Sequence, residues 1–117
     1  MFASADPLRL IDSLAEVPIA MVLSNPRRPD NPLEFVNPAF LELTGYAERD
    51  IVGRNCRFVT GLGTEVEATR RIARAIAEKR PELVDILNYK RNGRAFRNGV
   101  MITPIFGEDE TVEWFLG

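Results

Sequence analysis

The only cysteine of the chain, Cys56, lies between an amide and a guanidinium in the segment Gly53-Arg54-Asn55-Cys56-Arg57. A buried structural cysteine usually has apolar neighbours and behaves as a small hydrophobic residue. Here the flanking asparagine and arginines supply hydrogen-bond donors that suit a polar or anionic ligand. The segment alone leaves two interpretations open, a buried structural thiol and a thiol beside a ligand-binding site.

The composition excludes several classes of function. The chain contains no histidine, so Cys-His and Ser-His nucleophile pairs and histidine metal sites are excluded. We therefore expect no metal site. We also expect no enzyme activity, because no base accompanies Cys56. A length of 117 residues and a net charge of −2 predict one compact domain that binds neither nucleic acid nor membrane. A single cysteine excludes an internal disulfide and is typical of a protein in the reducing cytoplasm.

A second pair of polar residues lies on a predicted β-hairpin. The Asn-Gly dipeptide at 92–93 predicts a turn between strands over 82–90 and 94–105. A three-residue loop with a left-handed glycine places Asn88 and Asn98 on one apolar face of the hairpin, whereas a two-residue turn places them on opposite faces. A buried amide without partners costs roughly 1–3 kcal/mol. The two amides therefore bond each other or a water, or they bind the edge of a heteroaromatic ligand.

The elements that position these residues alternate between helical and strand patterns. Helical signals lie over 6–18, 38–44, 48–52 and 64–79. Strand signals lie over 19–23, 33–36, 82–90, 94–105 and 111–117. Thr64 and Glu67 have the spacing of a capping box, which predicts that Thr64 caps the longest of these helices. The order predicts an α+β domain with a five-stranded antiparallel sheet, short helices on one face and an N-terminal flanking helix.

The other face of the predicted sheet is too apolar to stand in water. Its members are Leu83, Leu87, Tyr89, Met101, Ile105, Val112, Trp114 and Leu116. We call this set the outer face. We expect the outer face to be covered by the N-terminal helix, by a second copy of the chain, or by sequence beyond Gly117.

The segment Gly-Arg-Asn-Cys-Arg-Phe at 53–58 closely resembles the signature of LOV domains, the flavin-binding blue-light photoreceptors of the PAS superfamily. The resemblance runs from about Ala20 to Gly117 and includes Asn88 and Asn98 at their expected places. The phrase Phe-Leu-Glu-Leu-Thr-Gly-Tyr occurs in many PAS domains and is less specific. The resemblance implies the PAS/LOV fold, with an N-terminal helix or extension over 1–18 and a sensor domain over 19–117.

By this resemblance the cofactor is FMN, with FAD as the less frequent alternative. Cys56 is then the photoactive residue, whose thiol adds reversibly to flavin C4a after blue light while N5 gains a proton. Asn88 and Asn98 bind the pyrimidine edge of the ring, and Arg57 binds the phosphate. The full set of cofactor-binding residues implied is Asn31, Asn55, Arg57, Asn88, Asn98, Phe40, Leu33, Ser24, Thr60, Arg70, Arg74, Val100, Ile102, Phe115 and Gly117.

The sequence departs from the family pattern at three places. Val59-Thr60 follows the signature phenylalanine, where the family often has Leu-Gln. Ala73 aligns with the second phosphate-binding arginine of the family, and Arg70 or Arg74 is the expected substitute. The glutamine that senses N5 protonation is expected two residues past Gly117, so we expect the final strand to continue beyond this chain.

The resemblance also implies a signalling role without direct contact to nucleic acid or membrane. The signal passes through the outer face to an effector, such as the histidine kinase of a bacterial signalling protein. The expected partners are the flavin and either a second copy of the chain or an effector domain on the outer face. The alternative function is a light-insensitive PAS module that binds a ligand or mediates dimerisation.

Overall fold

The computed structural model describes residues 15–117, and all but the last four residues of the helix predicted over 6–18 lie outside this range. The strands are β1 (Val22–Ser24), β2 (Leu33–Val36), β3 (Glu82–Tyr89), β4 (Ala95–Phe106) and β5 (Val112–Leu116). The helices are α1 (Pro38–Thr44), α2 (Glu48–Ile51), a short 3-10 helix (Cys56–Val59) and α3 (Val66–Glu78). Within 15–117 no helix combines the length and the apolar character that crossing a membrane requires.

The five strands form one antiparallel sheet in the order β2-β1-β5-β4-β3. The last strand of the chain therefore lies in the centre of the sheet, between β1 and β4. Helix α3 covers the β3–β4 side, where Ala68 packs against Val84 and Ile86. The predicted α+β fold, with an antiparallel sheet and helices on one face, is confirmed.

The β3–β4 hairpin has the predicted geometry. The Lys90 amide donates to the Arg94 carbonyl at 2.9 Å, and Gly93 has a φ of 88°. This three-residue loop sets a register in which Asn88 lies opposite Phe96 and Asn98 lies opposite Ile86. Residues with even numbers on both strands therefore share the face toward the helices.

Helix α1 begins and ends where local sequence signals place it. Asn37 accepts from the Phe40 amide at 3.0 Å, and Pro38 occupies the first turn. Gly45 has a φ of 79°, and its amide donates to Leu41 at 2.8 Å. These two caps fix the length of α1 and the direction in which the chain leaves it.

The predicted capping box at the start of α3 is wrong. The Thr64 hydroxyl donates to the Leu87 carbonyl at 2.7 Å, on the edge strand β3, and α3 begins two residues later. The Glu65 carboxylate accepts from the Leu87 amide at 3.0 Å. The side chains of Thr64 and Glu65 thus provide hydrogen-bond partners for the backbone of Leu87. Without them, the edge strand would present unpaired backbone groups here.

The first strand is shorter at its start than the predicted 19–23. The side chain of Asn37 accepts from the Met21 amide at 2.8 Å and donates to the Ile19 carbonyl at 2.7 Å. The backbone before Val22 is therefore bonded to Asn37, through its side chain and through its backbone amide, which donates to the Met21 carbonyl at 3.0 Å. This segment approaches the sheet without forming part of it.

Val112 does not belong to the outer face. The pairing of β4 with β5 shifts register between Ile105 and Phe106, as in a β-bulge. Such a bulge reverses the side to which the next residue points. Val112 consequently packs against Ile102 and Phe115 on the helix side of the sheet.

Candidate functional site

A cavity of about 690 Å³ lies between the helical segments and the inner face of the sheet. This volume is within the usual range of small-molecule sites, about 300–1,000 Å³. The sequence-predicted site residues that line it are Ser24, Asn31, Leu33, Phe40, Asn55, Cys56, Arg57, Thr60, Arg70, Asn88, Asn98, Val100, Ile102, Phe115 and Gly117. The fold therefore brings together residues from both ends of the chain.

Arg74 is the one predicted site residue that does not line the cavity. On α3 the residues facing the cavity are Thr69, Ile72, Ala73 and Ile76, with Arg70 at the margin of this stripe. Arg74 lies one residue beyond Ala73, which turns its side chain by about 100° to the exposed side of the helix. Of the two arginines proposed to replace the family arginine, only Arg70 is in a position to reach a ligand.

Cys56 opens the 3-10 helix, and Asn55 caps that helix by accepting from the Arg57 amide at 2.9 Å. The thiol packs against the apolar cluster that contains Leu33 and Phe40. Burial raises the pKa of the Cys56 thiol to about 11. At neutral pH the side chain is therefore a protonated thiol, which is a poor nucleophile without activation.

The two amides on the sheet bond each other. Asn98 Nδ2 donates to Asn88 Oδ1 at 2.9 Å, and Asn88 Nδ2 donates to the Leu87 carbonyl at 3.3 Å. This is one of the two arrangements that the sequence left open. Each amide offers two donors and a carbonyl acceptor, so their mutual bond uses a minority of the capacity of the pair. The bond holds both amides at a fixed place on the cavity wall.

Asn31 contributes an acceptor without a partner. Its Oδ1 atom is buried, and no hydrogen-bond donor within 15–117 reaches it. An unsatisfied buried polar atom costs about 1–3 kcal/mol. A ligand that carries hydroxyl donors, such as the ribityl chain of a flavin, satisfies such an atom. The donor and acceptor set of this cavity therefore fits a polar, flavin-like ligand.

Asp30 does not line the cavity, but it bonds two residues that do, and sequence reasoning missed it. Its two carboxylate oxygens accept from both terminal nitrogens of Arg57, at 2.6 and 2.7 Å. Its carbonyl oxygen accepts from Asn55 Nδ2 at 2.7 Å. The hydrogen bond from Arg57 lowers the pKa of the Asp30 carboxyl below its usual value. The one sequence signal for this loop was the Asp-Asn pair before Pro32. Both residue types tolerate left-handed backbone, and the pair therefore indicates a sharp turn at Asp30 and Asn31.

Residues 18–116 match the PAS domain family. The chain is 46% identical over 113 residues to blue-light-activated histidine kinase 1 of Erythrobacter litoralis, and it is 42% identical to a blue-light-activated histidine kinase of Brucella canis. These alignments cover 96% and 97% of this chain but only 31% and 23% of the relatives. The chain thus corresponds to one part of longer proteins.

The structure superimposes on the LOV domain of the Erythrobacter litoralis EL346 blue-light-activated histidine kinase with a TM-score of 0.83 and 35% identity. The match covers 86% of this chain and 93% of that domain. The chain is a LOV domain of the PAS family. The light-state Aureochrome1 LOV structure matches the domain with a TM-score of 0.83 and 31% identity, over 92% of this chain and 84% of the other. The predicted family and fold are confirmed.

Proposed function

We propose that this LOV domain binds FMN in the 690 Å³ cavity and senses blue light through Cys56. The observation that carries the proposal is the meeting of three side chains on one cavity. The only thiol of the sequence lines the same cavity as Asn88 and Asn98, although the three residues come from distant segments. The names of the relatives, which are blue-light-activated kinases, support the same conclusion.

Most residues of the cavity divide into four groups by the part of a flavin that each suits. Asn88 and Asn98 suit the pyrimidine edge, because amides match its alternating donors and acceptors. Asn31, with its buried acceptor, suits the ribityl hydroxyls, and the rim arginines Arg57 and Arg70 suit the phosphate. The residues that enclose the ring are Leu33, Phe40, Val100, Ile102 and Phe115. The remaining lining residues of the proposed site are Ser24, Asn55, Thr60 and Gly117.

A bound flavin supplies the photochemistry, in which light-driven addition forms a bond between Cys56 Sγ and flavin C4a, transfers the thiol proton to N5, and reverses in the dark. The domain contributes a protonated thiol, because burial keeps the pKa of Cys56 near 11. It contributes orientation through the two amides, which fix the ring by its rim. No catalytic base is required, because the photon provides the driving energy.

We also propose that the domain relays its signal through the outer face. Leu83 and Met101 on that face are more than half exposed, at 61% and 53%. A second copy of the domain or an effector domain is the partner that we expect there. The curated relatives are histidine kinases that are at least three times as long as this chain, so the kinase activity belongs to other regions. The single cysteine favours a cytoplasmic location.

A spectroscopic experiment tests the flavin proposal. The protein, purified or reconstituted with FMN, should absorb blue light, bleach under blue illumination and recover in the dark. Cys56→Ala should bind FMN with similar affinity but should not bleach, because the thiol reacts with the flavin and contributes little to its binding. Chromatography of the released cofactor distinguishes FMN from FAD. A protein that binds no flavin, or a Cys56→Ala variant that still bleaches, would refute the proposal.

A light-insensitive PAS module is the second candidate. The direct bond between Asn98 and Asn88 favours it, because it gives each amide one partner without a ligand. The same spectra separate the two functions. A domain that binds FMN and shows no bleaching with Cys56 intact would be a ligand-binding module rather than a photoreceptor.

A further inference from the structure

Arg57, at the rim of the proposed flavin site, is already occupied by a carboxylate of its own chain. Its Nη1 and Nη2 atoms donate to Asp30 Oδ2 and Oδ1 at 2.7 and 2.6 Å. These two parallel bonds fill the end-on face of the guanidinium, one of the two faces that can give a two-point contact to a phosphate. A phosphate can take this face only by displacing the carboxylate.

The backbone holds Asp30 in this position. Its carbonyl oxygen accepts from Nδ2 of Asn55, the residue two positions before Arg57, at 2.7 Å. Asp30 and Asn31 both have left-handed backbone, with φ of 66° and 47°, which Asp and Asn adopt at a lower cost than other residues that carry a side chain. The bonds from Asn55 and Arg57 offset that cost. The bond from Asn55 thus holds the Asp30 backbone beside Arg57, and the carboxylate, on a side chain that is 60% exposed, makes the ion pair.

We infer that Asp30 is a specificity-determining residue, whose carboxylate competes with the phosphate of a flavin nucleotide for Arg57 and so weakens the preference of the cavity for phosphorylated over unphosphorylated flavin. The inference rests on the proposed function, because it requires that the cavity holds a flavin. Two effects act in the same direction. The carboxylate occupies the donors of Arg57, and its negative charge repels a phosphate at close range.

The neighbouring Arg70 has a different environment. It also lines the cavity, and the structure gives it no ion pair with any residue of 15–117. A phosphate therefore meets one arginine that is open and one, Arg57, whose end-on face is taken by Asp30. We expect the first contact to be with Arg70 and the second to depend on release of Asp30.

The test compares the affinities of FMN and riboflavin, which differ only by the phosphate. Apoprotein is titrated with each flavin, and the quantity measured is the riboflavin Kd divided by the FMN Kd. Asp30→Asn is the informative variant, because asparagine has the same size and tolerates left-handed backbone. We expect this ratio to rise about fivefold in Asp30→Asn, as the modest strength of exposed ion pairs allows. We expect it to fall in Arg57→Ala.

Glu34→Gln is the matched control. It removes a carboxylate from another arginine pair nearby in the sequence, Arg28–Glu34 at 2.8 Å. Neither Arg28 nor Glu34 lines the cavity, and Glu34, unlike Asp30, bonds no arginine that does, so the ratio should not change. Circular dichroism confirms that each variant is folded before titration.

The outcomes separate this inference from the proposed function. A ratio that is unchanged in Asp30→Asn would overturn the inference, since Asp30 would then have no effect on phosphate recognition. A ratio that falls as in Arg57→Ala would also overturn it, because Asp30 would then orient Arg57 toward the phosphate. A wild-type protein that binds neither flavin would refute the proposed function and the inference with it.

Discussion

Asn37 joins the segment before β1 to the first helix, and we expect its replacement by alanine to destabilise the domain by about 3 kcal/mol. The side chain is fully buried. Its Oδ1 atom accepts from the Met21 amide at 2.8 Å and from the Phe40 amide at 3.0 Å. Its Nδ2 atom donates to the Ile19 carbonyl at 2.7 Å. One amide thus pairs backbone groups from two segments.

The expected loss of stability has two parts, the loss of the helix cap and the loss of a partner for two further backbone groups. Removing the cap of a helix costs about 1 kcal/mol, and this applies to the bond with Phe40. The Met21 amide and the Ile19 carbonyl each lose a partner, at about 1–3 kcal/mol for a buried group. We take about 1 kcal/mol for each, the lower end, because Ile19 is 64% exposed and water can reach this segment.

Urea unfolding at equilibrium, followed by circular dichroism, measures the effect. Asn37→Ser separates the two losses, because serine caps a helix well but is too short to reach Met21 and Ile19. We expect Asn37→Ser to lose about 2 kcal/mol and Asn37→Ala about 3 kcal/mol.

The control is Asn92→Ala, which removes a single exposed bond to the Arg94 amide at 3.0 Å. We expect that variant to lose less than about 1 kcal/mol, in keeping with the modest net contribution of one such bond. If Asn37→Ala destabilised the domain no more than Asn92→Ala, the role assigned to Asn37 would be refuted.

Two further predictions concern packing and pH. A Cβ atom at Gly61 would lie 2.5 Å from the ring of Tyr89, whereas one at Gly99 would meet nothing within 4 Å. Gly61→Ala should therefore lower the free energy of unfolding by about 1–3 kcal/mol, and equal effects of Gly61→Ala and Gly99→Ala would contradict the packing argument. Burial raises the pKa of Cys56 from 9.0 to about 11, so the unfolded chain loses its thiol proton at lower pH than the folded one. The stability of the wild type should consequently fall more steeply than that of Cys56→Ser between pH 9 and 11 in urea unfolding; parallel profiles would show that the thiol is not buried.

The parts of the site that were predictable from sequence depend on short-range patterns. The hairpin loop at 91–93 sets the register of β3 and β4, so the shared face of Asn88 and Asn98 followed from local turn chemistry. The caps of α1 at Asn37 and Gly45 likewise lie within the element that they bound. Short-range rules of this kind need no knowledge of the tertiary structure.

The failed predictions for Thr64 and Val112 each depend on a contact with a different element of the fold. Thr64 has the spacing of a helix cap, but its hydroxyl donates to Leu87, 23 residues away. The inward position of Val112 depends on how β5 pairs with β4. A local pattern cannot distinguish these outcomes, because both the local and the distant partner offer a hydrogen bond or a packing site of similar strength.

The sequence by itself determined the fold class, the family and which residue types could bind a flavin, because these depend on periodicity, turn residues and the segment around Cys56. Only the tertiary structure decided that Arg70 lines the cavity while Arg74 does not, and that Arg57 is held by Asp30. Asp30 and Arg57 are 27 residues apart, and each is a common surface residue. They are in contact because the loop at Asp30 and Asn31, whose backbone is left-handed, meets the short 3-10 helix at the cavity rim. No local pattern in either segment specifies this meeting.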